Sequence, residues 1–277
     1  IMAVPVILYY IIFEYIPMGG VIIAFKDFTA FKGIFGSPWV GLKHFRNFFD
    51  SYYFGLLIKN TLAISIYSIL AGFPIPIIVA LMLNEVKNAK YKKFVQTVIY
   101  APHFISTVVL VGIIIVLLSP TYGLVNLALK GLGFESKSFM TDPDAFRHIY
   151  VWSDIWQNAG WNSIIYIAAL SSIDTSIYEA ATIDGANRLQ RVWYINIPSI
   201  VPTMLILLIL NTGSIMNVGF EKIFLMQNDL NSTTSDVIST YIYRRGLLNA
   251  DYSFSTAVGL FNNVINFILL IAVNAIT

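Results

Sequence analysis

Long runs of apolar residues, separated by shorter polar segments, make up most of this sequence. Six runs approach the roughly 20 residues that an α-helix needs to cross a bilayer. Several contain proline or glycine, which membrane helices tolerate. The pattern predicts an all-α membrane protein with about six transmembrane helices. Their approximate bounds are Pro5–Phe25, Phe54–Asn84, Phe94–Ser119, Arg147–Ser171, Ser199–Gly219 and Ser253–Ile276.

The overall composition supports this interpretation. Hydrophobic residues form 57% of the 277 and charged residues 12%, against about 25% charged in an average soluble domain, so a soluble enzyme is disfavoured. The net charge of +2 comes without the clustered Lys and Arg of a nucleic-acid-binding face, and no nucleic acid is expected as a partner. Cysteine is absent, which leaves no disulfide framework or cysteine metal site to consider.

Basic residues in short loops indicate the orientation, because such loops tend to stay in the cytoplasm. The segment Glu85–Lys93 carries four lysines and is predicted to be cytoplasmic. Counting spans from it places Ser172–Pro198 and both chain ends on the same side. The first outer loop also contains basic residues, though more widely spaced: Lys26, Lys32, Lys43 and Arg46.

The segment Ser176–Pro198, SIYEAATIDGANRLQRVWYINIP, is a polar insertion between two apolar runs. Ser176 and Glu179 have the spacing of a capping box at a helix start. Gly185 suits the left-handed residue that ends this helix, and a second short helix is expected from Ala186. Pro198 is expected to begin the next span. These features fit an ordinary amphipathic loop as well as a docking site for another protein.

The order of residues favours docking. The segment resembles the signature of membrane subunits of binding-protein-dependent ABC importers, which reads E-A-A, D-G-A and I-x-L-P at fixed spacing. Ile197 replaces the usual Leu, and Val192 stands where an aromatic residue is common. The matching residues, expected to couple the chain to an ATPase, are Glu179, Ala180, Ala181, Asp184, Gly185, Ala186, Ile195 and Pro198.

The resemblance extends from about Asn60 to the end of the chain. The stretches FKDF, SPWVGLKHF and TYIYRRGLLNADYSFSTAVGLF are similar to permeases for complex oligosaccharides and polysaccharide fragments. We therefore divide the chain into residues 1–53, the first transmembrane helix with an extracytoplasmic interfacial segment, and residues 54–277, the permease core. The aromatic residues of 26–53 also fit a simple interfacial belt.

The resemblance implies a bacterial inner-membrane protein with a cytoplasmic coupling helix between the fourth and fifth spans. The implied partners are a second related permease, two ABC ATPases, an extracytoplasmic solute-binding protein and a sugar or oligosaccharide. No phosphate-binding G-x-x-x-x-G-K-[ST] occurs, so ATP and magnesium are expected on the ATPases and no cofactor on this chain. We identify no catalytic or metal-binding constellation.

Polar residues within the apolar runs predict the substrate path, because unpaired amides are costly in hydrocarbon. In the fourth run, Asp154 lies among three tryptophans, which suit either sugar binding or an interfacial belt. In the fifth, three polar residues recur at intervals of three. Such groups line a path or join helices together. The predicted path residues are Asp154, Asn158, Asn162, Asn211, Ser214 and Asn217.

Other functions remain open at this point. An ABC importer for an amino acid, osmolyte or polyamine fits the signature equally well, and only the flanking stretches favour a sugar. A secondary transporter predicts inverted repeats and broken helices in place of the polar segment. A membrane-embedded enzyme predicts a convergent reactive cluster.

Overall fold

A computed structural model describes residues 3–276, so the outermost residues of the two ends predicted to be cytoplasmic lie outside the described range. Within that range the chain is helical without a β-strand, apart from one isolated bridge between Lys26 and Trp39. Two four-residue helices, Gly33–Gly36 and Ser232–Ser235, are left unlabelled. The other α-helices are α1 Val4–Phe25, α2 Lys43–Phe49, α3 Tyr53–Gly72, α4 Pro74–Asn84, α5 Ala89–Phe104, α6 Thr107–Leu117, α7 Leu124–Gly131, α8 Pro143–Ser171, α9 Thr175–Ile183, α10 Arg188–Gly213, α11 Phe220–Met226, α12 Ile238–Tyr243 and α13 Tyr252–Ile276.

Four helical stretches of the described chain are long and apolar enough to cross a membrane. They are α1, the combined stretch Tyr53–Asn84, α10 and α13 up to Ala275. The pair α5 and α6 makes a fifth if it is counted as one span. Helix α8, with 29 residues, is the longest, but its polar residues keep it out of this set. The prediction of an all-helical membrane protein is thus confirmed. The structure has four or five candidate spans, whereas the sequence predicts about six.

The third predicted span is broken. Helices α5 and α6 meet at an angle of 96°, although Phe94–Ser119 reads as one apolar run. The two residues between them, Ile105 and Ser106, have extended backbone dihedrals. Ser106 then caps α6 by accepting a hydrogen bond from the Val109 N–H. A new helix start with its own cap therefore replaces a straight continuation.

The second run bends less. Its two helices are separated by Phe73 alone, which keeps helical dihedrals, and Pro74 occupies the first turn of α4. Proline is tolerated there because the N–H that it lacks has no partner within the helix. The stretch Tyr53–Asn84 counts as a single candidate span.

The fifth predicted span begins too late and ends too late. Helix α10 starts at Arg188, eleven residues before the predicted Ser199, and ends at Gly213, before the predicted Gly219. Its early part contains a π-helical turn, Val192–Asn196, after which Pro198 follows closely. The wider turn lets the helix pass a proline without breaking, so the predicted second short helix and the fifth span form one helix.

Two compact units make up the structure, and each draws on separate parts of the chain. The first contains residues 3–62, 216–220 and 236–268. Phe48 is fully buried there, with the rings of Phe54, Phe254 and Phe261 between 5.1 and 6.2 Å away. Helix α1, including Glu14 in a π-helical turn, is almost wholly exposed within the chain.

The second unit contains residues 63–215, 221–235 and 269–276. Its core joins α4, α8 and α10. The five buried core residues are Ile77, Ala80, Tyr166, Leu170 and Ile200. Helix α8 also lies against α5 so closely that a side chain at Gly160 would collide with the Ile99 carbonyl oxygen. Glycine is therefore required at this crossing, as is common where membrane helices approach each other.

Candidate functional site

The segment of residues 174–198, here called the EAA segment, begins with a cap that differs from the predicted one. Helix α9 starts at Thr175, and its N-cap is Asp174, whose carboxylate accepts the Ser176 N–H at 2.9 Å. That hydrogen bond lowers the pKa of Asp174. Ser176 and Glu179 therefore lie inside the helix and do not form the predicted capping box.

The end of α9 has the backbone geometry that the sequence predicted. Gly185 adopts a left-handed conformation with φ of +75°. Its N–H donates to the Thr182 carbonyl, and the Ala186 N–H donates to the Ala181 carbonyl. These two bonds form a Schellman motif, which satisfies carbonyls at a helix end and requires a left-handed residue at this position.

A second cap follows at once. Asn187 and Gln190 exchange side-chain and backbone hydrogen bonds of 2.8 and 2.9 Å in a capping box, which starts α10. The chain thus turns from one helix into the next within a few residues, and every step of the turn is fixed by hydrogen bonds between near neighbours. The predicted Ile195 and Pro198 lie on α10.

Most side chains of the EAA segment are exposed. Glu179, Ala180 and Asp184 face away from the protein, while Ala181 and Ala186 are half-buried. Large apolar side chains are also exposed here, at Ile183, Leu189 and Trp193. Ile183 is exposed at the end of α9, whereas Leu189 and Trp193 lie on a candidate span, so these apolar side chains can pack against lipid or another protein.

A second feature of the same unit is a cavity of about 290 Å³ between α3, α4, α8 and α10. Four of the six predicted path residues line it: Asp154, Asn158, Asn162 and Asn211. The structure therefore brings together polar residues from the fourth and fifth predicted spans. Their role in transport stays a prediction.

A connected set of polar side chains leads to the cavity. Asp154 accepts a hydrogen bond from Asn158 at 3.2 Å, and the oxygen of Asn158 lies 2.9 Å from the His103 ring. On the other side, the Lys222 ammonium lies 3.5 Å from Asp154 and donates to the Tyr150 carbonyl at 3.1 Å. Lys222 is 7% exposed, and Asp154 is its ion-pair partner.

The aromatic residues at the cavity are not those that the sequence suggested. Trp152, Trp156 and Trp161 are between 41 and 55% exposed and do not line the cavity. Phe73 and Tyr166 do, together with Ser68. Sequence analysis missed these residues and Lys222. Apart from the isolated lysine between two apolar stretches, they carry no distinctive pattern.

Ser214 and Asn217 lie elsewhere. Ser214 is the C-cap of α10 and donates to the Asn211 carbonyl. Asn217 lies beyond the helix end, in the other unit, and accepts a hydrogen bond from Asn262 at 2.8 Å. The three-residue spacing predicted one helical face, which does not exist because α10 ends at Gly213.

Comparison with known proteins gives a consistent result. Residues 72–277 match the family described as binding-protein-dependent transport system inner membrane component. The protein LplB of Bacillus subtilis is 44% identical over 276 residues, which cover 100% of this chain and 87% of LplB. The polygalacturonan/rhamnogalacturonan transport system permease YteP of the same organism is 43% identical, covering 99% and 85%.

A solved structure is similarly close. The crystal structure of a bacterial ABC transporter involved in the import of the acidic polysaccharide alginate contains a chain with 45% identity and a TM-score of 0.93. The alignment covers 99% of this chain and 93% of that one. The family match spans most of the sequence, and the similarity extends through the whole fold. This chain therefore belongs to the binding-protein-dependent transport system inner membrane components, the non-enzymatic permease subunits of ABC importers.

Proposed function

We propose that this permease forms, with a second related permease, the path by which an ATP-driven importer takes up an oligosaccharide or polysaccharide fragment. The observation that carries the proposal is the cavity in which Asp154, Asn158, Asn162 and Asn211 meet. Amide and carboxylate groups hydrogen-bond sugar hydroxyls, and the rings of Phe73 and Tyr166 offer flat apolar faces to the carbon skeleton.

The size of the cavity fits a shared path. Ligand sites commonly enclose about 300–1,000 Å³, and this cavity lies at the lower limit. This volume is small for a whole oligosaccharide, and the second permease is proposed to supply the facing wall. Rocking of the two permeases against each other then opens the path to alternate sides of the membrane.

The names of the similar proteins support a sugar as the solute. One relative transports polygalacturonan and rhamnogalacturonan, and the similar structure imports alginate. A second alginate transporter structure, with a TM-score of 0.92, contains a periplasmic protein bound to an alginate pentasaccharide. A solute-binding protein that delivers oligosaccharide from outside is accordingly part of this proposal.

Six spans are proposed, with both chain ends in the cytoplasm. Helix α8 is added to the five candidates because 29 helical residues reach about 43 Å, more than the roughly 30 Å hydrocarbon core. The four lysines of Glu85–Lys93 then lie in the cytoplasm together with the EAA segment.

The EAA segment is proposed as the contact with one of two ABC ATPases, with α9 as the coupling helix. The exposed Glu179 and the neighbouring apolar side chains support this assignment. ATP and magnesium bind to those ATPases and not to this chain.

The topology is tested by single-cysteine labelling. No native cysteine has to be replaced first, because this sequence contains none. Lys87 and Ile183 are suitable positions since neither caps a helix. Cysteines there are expected to resist a membrane-impermeant reagent in intact cells, while a Glu135→Cys control reacts. Labelling of either test position from outside contradicts the topology.

The solute is tested with the whole transporter, comprising both permeases, the ATPase and the binding protein, in proteoliposomes. We expect ATP-dependent accumulation of a labelled oligogalacturonate, alginate oligosaccharide or neutral oligosaccharide. A labelled amino acid, osmolyte and polyamine serve as controls. Accumulation of one of these small solutes, with no oligosaccharide uptake, contradicts the proposal and supports an importer of another class.

A further inference from the structure

One side chain of α9 turns toward the protein while its neighbours face out. Tyr178 is half-buried between the exposed Ile177 and Glu179. Its hydroxyl donates a hydrogen bond of 2.6 Å to the side-chain oxygen of Asn196. The residue directly before the E-A-A letters thus connects α9 to α10 across eighteen positions of sequence.

The acceptor lies at a structurally special place. Asn196 is fully buried and is the last residue of the π-helical turn Val192–Asn196, just before Pro198. Its side-chain nitrogen has no hydrogen-bond partner among the described residues, so the bond from Tyr178 to the side-chain oxygen is the one side-chain hydrogen bond that the structure gives this buried amide. A π turn followed by proline is a local irregularity, and such turns are frequent at functional sites.

A third element lies near the same phenol. Asn84, the last residue of α4, and the charged Glu85 and Arg191 are close enough to affect its ionisation. Burial raises the pKa of the phenol. The hydroxyl therefore remains protonated at physiological pH and keeps its donor. The phenol of α9 thus bonds α10 and lies near the end of α4.

We propose that the Tyr178 hydroxyl transmits movement of α9 to the buried π turn near the cytoplasmic end of α10, and so couples ATP hydrolysis to transport. This inference rests on the proposed function and assigns Tyr178 as a positioning residue that acts through Asn196. The loop of residues 184–187 joins α9 to the start of α10. The phenol adds a second link, to the buried π turn further along α10.

The test replaces Tyr178 by Phe, which keeps the ring and removes one oxygen. Tyr91→Phe is the matched control, because Tyr91 lies outside the EAA segment, on α5, and is 58% exposed. Binding-protein-stimulated ATPase activity and solute uptake are measured in the same proteoliposomes. We expect Tyr178→Phe to lower uptake per ATP about fivefold, the factor that corresponds to one ordinary hydrogen bond, with no change for Tyr91→Phe.

A second variant distinguishes coupling from folding. Asn196→Leu removes the acceptor, and the double variant with Tyr178→Phe is expected to match the more affected single variant in uptake per ATP, because both changes break one link. Additive losses contradict the link. Poor assembly of Tyr178→Phe, with normal uptake per ATP in the complexes that form, also overturns it.

The wild-type transporter, measured first, tests the proposed function separately. Absence of ATP-driven uptake of every oligosaccharide contradicts that function. A wild-type transporter that works, together with a Tyr178→Phe variant that matches Tyr91→Phe, contradicts the coupling role alone.

Discussion

The EAA segment and the polar cavity belong to the same unit but are held together in different ways. Apart from the Tyr178–Asn196 bond, the hydrogen bonds that fix the EAA segment join residues two to five positions apart, as at Asp174, Gly185 and Asn187. The cavity instead depends on side chains from α3, α4, α8 and α10, which are distant in sequence. A locally fixed segment keeps its shape when it is pushed, whereas a cavity between helices changes when the helices move. This difference suits a transporter in which the EAA segment receives movement from a partner and the cavity changes its shape in response.

The largest expected effect is on the helix crossing beside the cavity. Gly160→Val places a side chain against the Ile99 carbonyl oxygen and forces α8 away from α5. We expect a loss of more than about 3 kcal/mol and little assembled transporter, because the obstacle is backbone. Gly112→Val is the control, since a Cβ at Gly112 meets nothing within 4 Å. Complex yield after purification is the measurement, and equal yields for the two variants contradict the account.

A substitution at Gly185 is expected to have a smaller effect on assembly and a clear one on coupling. Valine at φ of +75° costs on the order of 1–3 kcal/mol locally and deforms the end of α9. Uptake should fall about tenfold with normal membrane insertion. Gly185→Asn tolerates the left-handed conformation and should retain most activity. Normal uptake and normal ATPase stimulation in Gly185→Val would falsify the role of the turn.

The smallest expected effect concerns Lys222, which forms an ion pair with Asp154 but does not itself line the cavity. Lys222→Met leaves Asp154 without its cation and should destabilise the transporter by about 1–3 kcal/mol. The lower part of that range is favoured because Asp154 is 46% exposed and screened by water. Adding Asp154→Asn should recover part of the loss.

The measurement for this pair is the temperature of half-maximal unfolding of the purified transporter. Exposed Lys130→Met is the control. A double variant no more stable than Lys222→Met alone shows that the ion pair has no structural role.

The difference between locally fixed features and features built from distant residues also explains which parts of the structure the sequence predicts. Gly185 was predictable because a left-handed turn depends on its own residue and close neighbours. The cap was misplaced by two residues because Asp174 and Ser176 are both good caps and local rules do not rank them. The bend between α5 and α6 has local signals too, in Pro102 and Ser106, but they are easily overlooked within an apolar run.

The composition of the cavity was only partly predictable. Polar residues inside apolar runs stand out, so Asp154, Asn158, Asn162 and Asn211 were found. Asn217 was grouped with them because the end of α10 was placed too far along the chain. Phe73 and Tyr166 resemble any other apolar positions until packing brings them to the cavity wall. Tertiary structure, and not local pattern, selects such residues.

The central claim, that the cavity is the solute path, is tested most directly by Asn211→Leu and Asn217→Leu as separate variants in the uptake assay. Asn211 lines the cavity, whereas Asn217 bonds to the buried Asn262. We predict that Asn211→Leu lowers uptake per assembled transporter roughly tenfold, and that Asn217→Leu leaves this value near wild type while lowering thermal stability. Wild-type uptake kinetics in assembled Asn211→Leu transporters would contradict the account.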